Sequence, residues 1–117
     1  MLVLVLAKPG PLRDSLVTLA MAIPQVEAVS QAENATVALR MIESQRPALV
    51  ILDMTFLEAE GWGALLKLWA AHPKTRWVML VDDVQQQAQV QAAGVHTALL
   101  KGVPAIRLST TIESLLF

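Results

Sequence analysis

The run Ala48-Leu49-Val50-Ile51-Leu52 is apolar at every position and ends abruptly in the carboxylate of Asp53. A strand with one wet face alternates apolar and polar residues, whereas a strand apolar throughout has to be covered on both faces, as in the middle of a parallel sheet. In an open parallel sheet, chemistry and ligands gather at the carboxyl ends of the strands. The run therefore constrains the chain to an α/β architecture and places Asp53 at the rim where such architectures keep their sites. A second wholly apolar run, Leu2-Val3-Leu4-Val5-Leu6, leads into Ala7 and Lys8, so a lysine stands across the same crevice.

Five β-compatible runs alternate with five helical patterns along the chain. The strands are expected at Leu2 to Leu6, Val26 to Ser30, Ala48 to Leu52, Trp77 to Val81 and Thr97 to Leu100. Helix-like apolar spacing covers Leu12 to Ala22, Ala35 to Ser44, Gly61 to Ala71, Val84 to Ala93 and Pro104 to Leu116; in the third of these Leu65, Leu66, Leu68 and Trp69 share a stripe that Lys67 and His72 leave. The punctuation agrees: Pro9-Gly10-Pro11 separates the first strand from its helix, Pro24 stops that helix, Asn34 caps the second, and Pro47 and Pro73 precede strands. Gly94 ends the fourth helix, and Pro104 falls in the first turn of the fifth, where its missing N–H is harmless. Parallel strands joined by right-handed helical crossovers make a three-layer sandwich, but periodicity alone does not give the strand order.

At 117 residues the chain is expected to form one domain over positions 1–117. No apolar run reaches the roughly 18 residues of a membrane span, and the opening strand lacks the preceding basic region of a signal peptide. The absence of cysteine excludes disulfides, thiolate metal sites and thiol nucleophiles, and fits the cytoplasm. Nine Lys and Arg against ten Asp and Glu, with no basic block, argue against direct contact with nucleic acid.

Four short signatures at the right spacing in this frame give the chain a resemblance to the receiver domains of bacterial two-component response regulators. They are Asp53 ending the third strand, Glu60-Gly61 opening the third helix about eight residues later, Gly94-Val95-His96-Thr97-Ala98 leading into the fifth strand, and Leu99-Leu100-Lys101 closing that strand. The segment Leu99-Leu100-Lys101-Gly102-Val103-Pro104 looks most like receivers that precede a helix-turn-helix output domain. The resemblance implies a flavodoxin-like (βα)5 fold, a five-stranded parallel sheet of order 2-1-3-4-5, and the cytoplasm. It also implies that Asp53 occupies the position phosphorylated by a histidine kinase, beside a Mg²⁺ ion held by this aspartate, an acidic pair after the first strand and the carbonyl of Thr55. Phosphoryl transfer of this kind rests on positioning and cation electrostatics.

Around that site the chain departs from the pattern at several positions together. Ala7 and Lys8 stand where the acidic pair belongs, Asp82 replaces the hydroxyl residue ending the fourth strand, and Ala98 replaces the aromatic switch residue. Lys101 is kept, while Gly102 and Leu57 stand where the family has prolines. A hard cation wants oxygen ligands, so no metal and no other cofactor is expected; Asp53 and Thr55 are the residues left for one. Two carboxylates at the ends of neighbouring strands need compensation if they are buried; Lys8 and Lys101 together are expected to balance Asp53 and Asp82, with the Lys8 ammonium in the metal's place.

Other residues take plainer readings. Asp83 suits a helix cap. His72 and His96 lack ligand spacing. Trp69 and Trp77 read as core and Trp62 as an exposed partner anchor. Ile106, Leu108, Ile112, Leu115, Leu116 and Phe117 give the last helix more apolar surface than one stripe needs, which suggests a homodimer face or a contact to a following domain. The expected function is a degenerate, non-enzymatic receiver-like module that binds signalling proteins, a histidine kinase or an output domain. A working phosphoacceptor at Asp53 is the alternative. A small flavodoxin-like enzyme or nucleotide binder is the weaker one, since Pro9-Gly10-Pro11 is no glycine-rich phosphate loop.

Overall fold

In the computed structural model, which describes residues 1–61, 63, 67, 72, 74–95 and 97–116, helices and strands alternate along the chain. The strands are β1 (Leu2–Leu6), β2 (Ala28–Ala32), β3 (Leu49–Asp53), β4 (Arg76–Val81) and β5 (Ala98–Leu100). The helices described are α1 (Pro11–Met21), α2 (Ala35–Gln45), α3 (Met54–Glu60), α4 (Val84–Ala92) and α5 (Ala105–Leu116). All strand pairings are parallel, in the order β2-β1-β3-β4-β5. This is the flavodoxin-like α/β fold and the strand order implied above.

The apolar runs explain the layers. Every residue of β3 is buried, and alternate side chains feed two separate cores. Leu4, Leu6, Val50, Leu52 and Met79 pack with Ala38 and Ile42 of α2, Phe56 and Leu57 of α3, and Val90 of α4. On the opposite face Val3, Val5, Ile51 and Leu80 pack with Leu16 and Ala20 of α1 and with Leu108 and Ile112 of α5. The pairs Leu6↔Leu52, Asp53↔Leu80 and Val81↔Leu100 bring the carboxyl ends of β1, β3, β4 and β5 to one rim.

Two elements differ from the sequence expectation. The edge strand β2 begins at Ala28, two residues later than Val26, because Val26 is buried under α1 and its N–H donates to Ile23, while Glu27 N–H donates to the Met1 carbonyl at 2.9 Å. The pleated pairing with β1 starts only beyond that turn, at Leu2↔Ala28. A helix also forms over Met54–Glu60, where periodicity gave none; Asp53 is its N-cap and Gly61, at φ 89°, breaks it. Seven residues are too few for a sustained 3.6-residue pattern to stand out. Glu60-Gly61, expected to open the third helix, instead closes α3, with Glu60 its last residue and Gly61 its C-cap; the rest of the helix expected over Gly61 to Ala71 falls largely outside the described residues, of which Gly63 and Lys67 are helical.

The punctuation holds elsewhere. Asn34 caps α2 through its side chain, which accepts from Val37 N–H at 2.9 Å, and Asp83 caps α4 by accepting from Gln86 N–H at 2.8 Å. Pro11 opens α1 and Gly94, at φ 105°, follows α4.

Candidate functional site

Three strand ends deliver the charged groups of the rim. Asp53 closes β3 and is 4% exposed, the one buried charged residue among those described. Asp82 follows the last residue of β4, and Lys101 follows the last residue of β5, its backbone N–H donating to the Val81 carbonyl at 2.9 Å. That bond fixes the start of the Lys101 side chain beside Asp82. The Lys101 ammonium then reaches inward, 2.8 Å from Asp53 Oδ1, 2.6 Å from Asp82 Oδ1 and 3.0 Å from the Thr55 hydroxyl. An ammonium has three N–H donors, and here all three have an oxygen in reach.

Burial pulls the Lys101 pKa down, but hydrogen bonds to Asp53 and Asp82 and the charges of both carboxylates outweigh it, so the group is held above its ordinary value. The ammonium is charged throughout the physiological range, and with two carboxylates it leaves the cluster one negative charge in formal terms.

Of the two lysines expected to balance the carboxylates, Lys101 does so and Lys8 does not. Lys8 is exposed where β1 runs out into the Pro9-Gly10 turn, and among the described residues it makes no ion pair. Ala7, by contrast, is buried at the end of β1 and presents only a methyl group to the rim. Thr55 lies in the first turn of α3, where its N–H is 3.4 Å from Asp53 Oδ1. Ala98 is buried in β5, its carbonyl accepting from Gln87 Nε2 at 2.7 Å. Among the described residues, no group of three or more His, Cys, Asp or Glu side chains is placed to hold a metal ion.

Gln86 and Glu58, neither singled out by the sequence, belong to the site's support. Gln86 Oε1 accepts from Asp82 N–H at 2.8 Å, and Gln86 Nε2 donates to Glu58 Oε1 at 3.1 Å. One side chain thus ties the loop carrying Asp82 to the helix that Asp53 starts. Asp83-x-x-Gln86 has the spacing of a capping box, but Gln86 reaches back one residue further, to Asp82 N–H. Glu60 makes a second tie, accepting from Ala35 N–H at the start of α2 at 2.8 Å.

Of the aromatic candidates, Trp77 is core, at 6% exposure, while Trp62 and Trp69 lie outside the described residues, as do His96 and Phe117. His72 is half-buried and precedes the amino end of β4. In α5, Leu108 and Ile112 are buried and Leu115 and Leu116 pack on the same core, so the wide stripe is largely used within the chain; Ile106 is left 74% exposed. No described helix is long and apolar enough to cross a membrane.

No family model matches the chain. Comparison with curated proteins finds the chemotaxis protein CheY of Listeria monocytogenes, 30% identical over 89 residues that cover 74% of this chain and 75% of that one. Among solved structures, a two-component response regulator of the LuxR family from Aurantimonas superposes with a TM-score of 0.84 at 19% identity, covering 98% of this chain and 84% of that one. The N-terminal signal receiver domain of a response regulator from Bacteroides fragilis gives 0.85 at 14% identity, over 99% and 96%. The structural likenesses fix the fold, and the CheY relative carries the kinship in sequence. The chain belongs to the CheY-like family of response regulator receiver domains of two-component systems.

Proposed function

We propose that this receiver domain works as a protein-interaction module whose rim is set by the Lys101 ion-pair cluster and not by Mg²⁺-dependent phosphorylation of Asp53. The observation that carries this reading is the single ammonium lying 2.8 Å and 2.6 Å from the two carboxylates. A Mg²⁺ ion demands six oxygens in near-octahedral array. At this rim the Ala7 side chain offers none, Lys8 adds positive charge, and a cation between Asp53 and Asp82 would have to displace the Lys101 ammonium. The metal does not fit these residues.

The partners of such a module are signalling proteins, a histidine kinase or an output domain, recognised through the faces around the rim. Asp82 and Ala98 support the same reading. A carboxylate at the end of β4 repels a phosphorylated aspartate, and a methyl group in β5 has no aromatic side chain to reorient. Intact-mass measurement after incubation with a small-molecule phosphoryl donor and Mg²⁺ tests it. The expected result is an unchanged mass; a stoichiometric gain of about 80 Da, the mass of one phosphoryl group, that disappears in Asp53→Ala would establish Asp53 as a working phosphoacceptor instead.

A further inference from the structure

A cavity of about 540 Å³ opens between α1 and α5 on the face of the sheet opposite α2 and α3. Its volume falls within the roughly 300–1,000 Å³ typical of small-molecule sites. The floor is apolar, built from Leu16, Leu80, Leu100 and Leu108. The polar groups that line it gather on α1, where Asp14, Ser15 and Thr18 are exposed at the rim; the other charged residue in the lining is Lys101.

The charges favour one sign of ligand. Lys101 is engaged by Asp53 and Asp82, so that cluster contributes a net negative charge behind the cavity. Asp14 adds a second, and among the described residues it makes no ion pair. Lys8, Arg13 and Arg107, which carry the opposite sign nearby in sequence, are not in the lining. An apolar basin with hydroxyls and an uncompensated carboxylate on one wall suits an apolar body carrying a cationic head, with the head donating to Asp14, Ser15 and Thr18.

We propose that the α1–α5 cavity is a binding site for a small amphiphilic cation, an aromatic or aliphatic body bearing one ammonium or amidinium group. The proposal goes beyond the reading of the rim and stands whether or not Asp53 takes a phosphoryl group.

Phenylbutylamine, phenylbutanoate and phenylbutanol share one body and differ only in the charge of the head. Titrated into the ¹⁵N-labelled chain, the amine is expected to saturate, with shifts confined to amides of α1, α5 and the segment after β5, and to bind more tightly than the alcohol, with the acid weakest. Asp14→Asn should weaken the amine about two- to fivefold, the range of a solvent-exposed ion pair, and leave the alcohol unchanged. Filling the mouth from an exposed position, by Ala105→Trp or independently by Thr18→Trp, should abolish binding of all three while the spectrum stays folded. Binding of the acid as tight as the amine, shifts elsewhere on the surface, or no saturable binding would overturn the proposal. So would concentration-dependent broadening of the α1 and α5 signals without probe, which would mean that a second copy of the chain covers the cavity.

Discussion

Lys101 is held by partners of unequal burial, and this decides how their loss is felt. The Asp53 side chain is 6% exposed and that of Asp82 46%. Removing the ammonium strands the buried carboxylate, and breaking a buried pair from one side typically costs about 3–5 kcal/mol. Lys101→Met should therefore lower the unfolding free energy by about 3 kcal/mol, the lower end of that range because the lysine keeps some contact with solvent. Asp82→Ala should cost less than about 1 kcal/mol, as for exposed pairs; urea denaturation separates the two. The pH dependence has a definite sign. A lysine whose pKa is raised on folding stabilises the folded chain fully below its unfolded value of 10.5, and that contribution is lost as pH climbs through the higher folded value. Unfolding curves of the wild type should weaken above pH 10.5 more steeply than those of Lys101→Met. Asp53, Asp82 and Lys101 were all legible as strand ends in the sequence. That Lys8 would stay out of the cluster while Lys101 joined it was not, because it depends on the path of the chain after the strand: Lys8 is carried outward into the Pro9-Gly10 turn, while the Lys101 backbone is anchored on Val81.

At the scale of elements, short polar contacts fix where helices begin and how they lean on one another. Asn34→Ala removes the acceptor of Val37 N–H at the start of α2, and loss of such a cap typically costs about 1 kcal/mol. Thermal unfolding should show a loss of that size, with faster hydrogen exchange confined to the first turn of α2, whereas Asn34→Asp should be nearly neutral. Caps of this kind are local in sequence, which is why Asn34 and Asp83 are legible from the order of residues alone. The start of β2 is not, since Val26 is claimed by the core under α1 and the strand waits for the next turn. Helix α3 escaped for a related reason: its seven residues are held by a cap at Asp53, a stop at Gly61 and long-range ties from Glu58 and Glu60, none of which leaves a periodic mark.

Across the whole molecule, two apolar layers on either side of one parallel sheet bring the carboxyl ends of four strands to a common rim. The uninterrupted apolar runs of β1 and β3 demanded that arrangement, and the family resemblance supplied the strand order that periodicity leaves open. The chemistry of the rim is then set by few positions, chiefly Ala7, Lys8, Asp53, Asp82 and Lys101. A ligand that binds only the folded chain raises its melting temperature by mass action. The central claim, that Lys101 fills the place a metal would take, is tested most directly by thermal unfolding with and without millimolar Mg²⁺, alongside a variant carrying Ala7→Asp and Lys8→Asp that restores the missing oxygens. The account predicts no Mg²⁺-dependent shift in the wild type and a rise in the double variant; a clear Mg²⁺-dependent rise in the wild type would contradict it.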